Sequence, residues 1–212
     1  MSVSTKKLGL NLLALTLLSS SAAFARTGSQ SAVLQKTVER VESAIAAGEE
    51  PVVIFDLDDT LFDSRSRKIA VLRAFARQAE IQEEFPIEAS RLLELTLKDI
   101  HYGLNSTLEE AGITSPEFVA AAHKYFTAHF FSNESVRIDR NIAGGVEFVN
   151  QLKQLGAVIV YLTGRDEPRM GPGSKDALVA SDLPLDGSKA ILKLKPDLTI
   201  DDTEFKKDTF AA

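Results

Sequence analysis

Three aspartates, Asp56, Asp58 and Asp59, follow four apolar residues, Val52-Val-Ile-Phe55. Three carboxylates within four residues repel one another, and a carboxylate is costly to bury unpaired. A cation relieves both problems. Hard oxygen ligands of this kind suit Mg²⁺, and the carboxyl ends of strands are where open α/β sheets bind their ligands. A solvated acidic turn is the plainer reading of a bare Asp-x-Asp-Asp. The complete pattern here, an apolar run, then Asp-x-Asp-x-Thr, then Leu61-Phe-Asp63, is far more specific. A second polar cluster, Thr163-Gly164-Arg165, ends another apolar run, Ala157 to Leu162.

These clusters need strands to position them. Val52 to Phe55 reads as a strand buried on both faces, as does Ala157 to Leu162, with a third strand at Ala190 to Leu194. Between the first two lies an amphipathic helix over Val146 to Leu155, opened by Gly144-Gly145 and ended by Gly156. Strand, helix and strand in this order imply a parallel sheet with right-handed crossovers. A helix over Val33 to Ala47 precedes the first strand, ended by Gly48. Ser64 to Asn141 has no convincing strand and three helical stripes: Ile69, Leu72, Phe75 and Ala76; Leu92, Leu93, Leu95, Leu97 and Ile100; and Phe118, Ala122, Tyr125, Phe126, His129 and Phe130. Gly171-Pro172-Gly173 reads as a loop before a short helix over Asp176 to Ala180, and a further helix starts at Thr203.

The aspartate pattern resembles, almost letter for letter, the first motif of the haloacid dehalogenase superfamily, and the chain from Glu50 to Phe210 is similar to its exported bacterial acid phosphatases. The resemblance implies an α/β fold, a Rossmann-like parallel core over 26–63 and 142–212, with residues 64–141 inserted as an α-helical cap that sets substrate choice. It also implies Mg²⁺-dependent hydrolysis of a small phosphorylated substrate through an aspartyl-phosphate on Asp56. Asp58 would then protonate the leaving oxygen and activate water, and its backbone carbonyl would ligate the metal. Superfamily members that cleave carbon–halogen bonds lack this second aspartate. Thr163 matches the second motif, whose hydroxyl holds the transferring phosphoryl group, with Gly164 and Arg165 beside it in substrate binding. Arg165 could equally brace the loop.

The third motif is a lysine that pairs with the nucleophile. Lys175, Lys193, Lys195, Lys206 and Lys207 are the candidates, and Lys206, in a starting helix, suits the pattern best. The fourth is an acidic pair on a further strand that completes the metal site. Asp201-Asp202 is the one acidic pair left, so the expected ligands are Asp56, Asp58 and Asp202. That pair precedes Lys206, whereas the family places it after the lysine. Either it has taken over, with Lys193 or Lys195 as partner, or the chain is shorter than its relatives; the second is favoured. A catalytically impaired phosphate- or metal-binding remnant is therefore the alternative function. A phosphonate-cleaving hydrolase would need a cap lysine at the site, and nothing in the sequence places Lys68 or Lys98 there.

Other residues read more plainly. Asp59 and Thr60 fit a loop-stabilising role, Arg65 and Arg67 a surface one, and His129 a place in the core. His101, His123 and His129 lack ligand spacing, and Gly171 to Lys175 lacks the spacing of a phosphate loop. Lys6-Lys7, the apolar run Leu8 to Leu18 and Ala23-Phe24-Ala25 form a cleavable secretory signal, residues 1–25, placing the mature protein in the periplasm or outside the cell. No cysteine follows the apolar run, so no lipid anchor is expected. Cleavage removes two lysines and no acid, taking the net charge from −6 to −8. That balance argues against nucleic acid as a partner, which calls for clustered Lys and Arg. With no cysteine there is neither disulfide nor thiolate metal site.

Overall fold

The computed structural model describes residues 28–211, so the secretory signal lies outside the described residues. The chain is mixed α/β. A three-stranded parallel sheet has the order β1 (Val52–Phe55), β4 (Val158–Asp166), β5 (Ala190–Lys195). β4 is central and mostly buried, as its run of β-branched and aromatic residues requires. β1 differs from the expected buried strand. Among the described residues it pairs with β4 alone, so it is an edge, and Val52 is 57% exposed. Its apolar residues are half-buried because neighbours cover one side only.

Helix α1 (Gly28–Ala46) and helix α8 (Gly145–Leu155) pack together beside this sheet, and α9 (Glu167–Ala180) follows β4 directly. Val38 and Val41 of α1, Phe148, Val149 and Leu152 of α8, and Ile159 and Tyr161 of β4 meet in one apolar cluster, joined by Leu178 from α9. A second cluster draws on no strand. It is built by α2 (Arg65–Ala76), α3 (Ala79–Glu84), α4 (Pro86–Glu94), α5 (Leu104–Glu110) and α6 (Pro116–Phe130), with Leu72, Phe75, Leu92, Leu108 and Phe118 at its centre. Pro86 and Pro116 each sit in the first turn of their helices, where a missing N–H costs nothing.

A two-stranded antiparallel ribbon closes the neck between the clusters. β2 (Phe62–Asp63) pairs with β3 (Arg140–Asn141), so the chain enters and leaves the helical region at one point. β3 follows the single-turn helix α7 (Asn133–Val136). The helical stripes depart from expectation in two places. α4 stops at Glu94, and Leu95, Leu97 and Ile100 lie in a turned segment that Asp99 holds by accepting from the Thr96 amide and hydroxyl, each at 2.7 Å. His129 is exposed rather than in the core, stacked on Tyr125 with ring centroids 4.0 Å apart.

The stretch expected as a loop at Gly171 to Gly173 is instead the middle of α9, with Pro172 inside the helix. Asp166 caps the helix by accepting from the Arg169 amide at 3.0 Å, and Pro168 stands in the first turn. Tertiary packing outweighs the helix-breaking residues. A Cβ at position 173 would collide with the Asn133 carbonyl and Val136, so only glycine lets α7 sit against α9. The Gly173 amide donates to Asn133 Oδ1 at 2.7 Å, fixing that contact. Gly173→Ala should therefore cost about 2 kcal/mol, in the range of overpacked sites, and lower Tm by roughly 4–8 °C in a thermal melt. An unchanged melt would mean the contact is slack.

Candidate active site

The chain leaves β1 at Phe55 and turns at once. Leu57 is fully buried and anchors the turn, while the Asp59 amide donates to the Phe62 carbonyl at 2.7 Å and the Phe62 amide to the Leu57 carbonyl at 2.9 Å. Asp59 takes a left-handed conformation, φ 57°, which aspartate tolerates better than most residues. Its carboxylate accepts from the Ser64 amide and hydroxyl at 3.1 and 2.7 Å. Asp59 thus braces the turn, and Thr60 beside it is exposed. Asp56 is left at the tip, with Oδ1 accepting from the Leu57 amide at 2.8 Å and Oδ2 from Lys206 Nζ at 3.0 Å.

Lys206 belongs to α10 (Asp202–Ala211). Asp201 precedes that helix and accepts from the Thr203 and Glu204 amides, so it serves as a cap. Asp202 faces the other way. Its Oδ1 lies 2.6 Å from Lys195 Nζ, and any side chain at Gly164 would run into its carboxylate. Lys193 and Lys207 are exposed, and Lys175 pairs with Glu167 at 3.0 Å. Of the five candidate lysines, Lys206 is the one that meets Asp56.

Thr163, Gly164 and Arg165 lie where the β4–β5 register shifts, between the Leu162 and Asp166 pairings. The Thr163 side chain is buried, and its Oγ1 accepts from the Arg165 amide at 3.3 Å. Arg165 is turned inward as a brace. Its guanidinium donates to both oxygens of Asp58, at 3.0 and 2.8 Å, to Asp139 Oδ2 at 2.7 Å and to Ser174 Oγ at 3.2 Å.

Arg67 corrects a sequence expectation. It is not a surface arginine but is 1% exposed, donating to Asp58 Oδ1 at 2.5 Å with Nε 3.2 Å from Asp139 Oδ1. Its guanidinium also lies over the Phe130 ring, 4.1 Å from the centroid. Arg65, by contrast, is exposed and clamps Asp63. Two arginines and two aspartates thus form a quartet in which Arg67, Arg165 and the Asp139 carboxylate are buried and Asp58 faces the cavity, 34% exposed. Asp139 had no sequence signal, because it lies in a polar stretch between α7 and β3. Arg67 and Lys68 did have one. Helical spacing puts Lys68 in line with Leu72, Phe75 and Ala76, and Arg67 in line with Val71.

Electrostatics separates the two aspartates. Burial pushes Asp58 up, but Arg165 and Arg67 outweigh it and hold the carboxyl down to about 2. Asp139 moves the opposite way, up to about 6, because burial exceeds the pull of Arg67 and Arg165. Geometry supports that direction: Asp139 Oδ1 lies near Arg67 Nε, yet neither atom finds an aligned hydrogen bond. Arg67 is itself pushed down by burial, though an arginine stays charged through such a shift.

Asp56, Asp58, Thr163, Gly164, Arg165, Asp202 and Lys206 all line one cavity of about 480 Å³, walled on its far side by Phe126, Phe130, Phe131 and Met170. Sequence patterns picked out the first seven and not this wall: Phe126 and Phe130 were assigned to helix packing, and Phe131 and Met170 carried no signal. Of the expected metal ligands, Asp56 and Asp202 offer carboxylates to this cavity, while both Asp58 oxygens are committed to arginine. Among the described residues no three His, Cys, Asp or Glu side chains gather around one point. Asp56 and Asp202 are each paired with one lysine, Lys206 at 3.0 Å and Lys195 at 2.6 Å, so a hard cation held by them and the Asp58 backbone carbonyl would have to compete with those two ammonium groups. His101, His123 and His129 do not line it, nor does Lys98.

The quartet has a pH signature. Protonated Asp139 fits the fold better than ionised Asp139, so its stabilisation is complete below pH 3.8 and is lost as pH rises through about 6. Asp58 has the reverse sign: its share is present above 3.8 and is lost as pH falls toward about 2. Asp139→Asn, which stays neutral, should remove the decline in melting temperature across roughly pH 4–6 and keep the acid loss below it. Melts taken across that range check this, and an unaltered decline would assign it to another group. No family model matches the chain, and no curated protein or solved structure was found to be similar to it, so the functional reading rests on the residues themselves.

Proposed function

We propose that this protein is a phosphomonoester hydrolase of the haloacid dehalogenase type, with a helical cap over a Rossmann-like core, acting on a small phosphorylated substrate in the periplasm or outside the cell. The observation that carries this reading is the setting of Asp56, a strand-end carboxylate 3.0 Å from Lys206 in a cavity that Thr163 also lines. A carboxylate there has the geometry of a nucleophile, and a lysine beside it can take up charge from the equatorial phosphoryl oxygens.

In the proposed reaction an Asp56 oxygen attacks phosphorus, and a new P–O bond forms as the bond to the leaving oxygen breaks. The leaving oxygen takes a proton and departs as an alcohol. Water then attacks the phosphorus of the aspartyl-phosphate, losing its proton to a base, and releases inorganic phosphate with Asp56 restored. The Thr163 hydroxyl and Gly164 amide are suited to hold the transferring group, and Lys206 steadies it throughout. Mg²⁺ held by Asp56, the Asp58 carbonyl and Asp202 would neutralise charge on the phosphoryl group.

Asp58 is the candidate for both proton transfers, but with a carboxyl held to about 2 it is an anion in the described arrangement. It can donate a proton only after leaving Arg67 and Arg165. That observation favours a second reading, a phosphate- or metal-binding protein without turnover, in which Asp58 stays locked. An aryl-phosphate assay with and without Mg²⁺ separates the two. Under the hydrolase reading, Asp56→Asn abolishes turnover without lowering the melting temperature, because Asp56 is partly exposed. Lys206→Met should lower kcat roughly 100-fold, the loss expected for one preorganised charge contact. Turnover retained in Asp56→Asn would rule out the phosphoenzyme, and turnover absent from the unsubstituted protein at every Mg²⁺ level would favour the binding protein.

A further inference from the structure

Four cationic side chains line the site cavity: Arg67, Lys68, Arg165 and Lys206. Three are neutralised, Arg67 and Arg165 by Asp58 and Asp139, and Lys206 by Asp56. Lys68 is different. It is 8% exposed, yet among the described residues its ammonium contacts are backbone carbonyls and no carboxylate closes a salt bridge with it. Asp58, Asp59 and Asp63 act on it from farther off, and burial outweighs them in drawing its pKa down. Its ammonium donates to the carbonyls of His101 and Tyr102, at 3.4 and 3.1 Å, and lies 5.1 Å from the centre of the Tyr102 ring. An ammonium has three N–H groups. The third has no acceptor among the described residues.

Lys68 also stands at a junction. A second cavity, of about 370 Å³, lies beside the first, and Asp59, Lys68 and Tyr102 line both. Ile100 and Ile142 form apolar parts of its wall. Arg65 in that cavity is already paired with Asp63, so Lys68 is the unmatched cation common to the two spaces. A desolvated ammonium lacking a counter-charge is costly, and an incoming anion offsets that cost.

We propose that Lys68 is a second anion-binding point, holding a carboxylate or a further phosphate on the leaving group of the substrate. The inference rests on the phosphomonoesterase reading for the reacting end of that substrate. The substrate class is then a phosphomonoester with an anionic group beyond the ester oxygen, its phosphoryl group toward Asp56 and its far end passing Lys68 into the second cavity.

A matched pair of probes tests this: 4-carboxyphenyl phosphate and its neutral amide, 4-carbamoylphenyl phosphate. Binding of each is measured by calorimetry with Mg²⁺, using the full chain carrying Asp56→Asn so that nothing is consumed. The carboxylate compound should bind about tenfold more tightly than the amide, the ordinary yield of one charge-assisted contact. Adding Lys68→Met should abolish that preference, and Lys68→Gln provides a second, polar replacement if the first fails to fold. Equal binding of the two probes to the Asp56→Asn chain with Lys68 in place overturns the inference with no second substitution needed, as does a preference that survives both replacements, or no binding of either. Hydrolysis of phenyl phosphate by the unsubstituted chain is read separately. A binding preference without hydrolysis would sink the reaction and leave the anion site standing; hydrolysis without the preference would do the reverse.

Discussion

Two guanidinium groups are buried beside the site, and the fold around it is arranged to tolerate them. Arg67 and Arg165 each touch Asp58 and Asp139, so two positive charges are matched by two negative ones with no net surplus. Removing Asp58 or Asp139 leaves a guanidinium charge that is 1% exposed without its partner, which is far worse than losing a surface ion pair. The four residues come from four places: the turn after β1, the first turn of α2, the end of β4, and the segment between α7 and β3. Their mutual attraction therefore ties the sheet to the helical region at the mouth of the cavity. The β2–β3 ribbon makes this arrangement accessible by bringing both crossings of the chain to one neck, so that Asp139 arrives beside Asp58 although they are far apart in sequence.

The sheet strands and most helices were legible because their signals are local. Apolar β-branched runs marked β1, β4 and β5, and a 3.6-residue stripe bounded by glycine marked α8. What was not legible depended on contacts between distant segments. β1 reads as buried by composition but lies at an edge, since pairing partners decide burial. Gly171 to Gly173 carries loop chemistry by every local rule, yet close packing on Asn133 and Val136 keeps it helical. The two-residue strands β2 and β3 are too short to leave a periodic signal.

The candidate site divides along the same line. Asp56, Asp58, Thr163 and Gly164 could be picked out because a strand end delivers polar residues in a fixed order. Lys206 could be narrowed to from its helix start, but its contact with Asp56 depends on how α10 returns to β4. Asp139 could not be found, since nothing about an aspartate between two arginines in a polar stretch distinguishes burial from solvation. Arg67 and Lys68 were readable in principle. Assigning Arg67 to the surface followed residue type over helical phase, and on α2 the phase wins: Arg67 shares a face with buried Val71, and Lys68 with Leu72 and Phe75 of the helical core.

Charge balance in the cavity bears on what such a site can bind. Four acids, Asp56, Asp58, Asp59 and Asp202, face four bases, Arg67, Lys68, Arg165 and Lys206, and Asp139 stands behind them. A phosphate dianion entering alone would meet no net attraction, and its nearest neighbour would be the Asp56 carboxylate. A divalent cation held by Asp56 and Asp202 would alter that balance by matching two negative charges of the wall, leaving Lys206 available to the phosphoryl oxygens. The two arginines cannot supply this attraction without giving up Asp58, and a phosphate that competes for them would release that carboxylate at the moment when a proton donor is required. Under the proposed chemistry the quartet would thus have two roles: it ties together the elements around the cavity, and it would keep Asp58 ionised until an anion displaces it from the arginines.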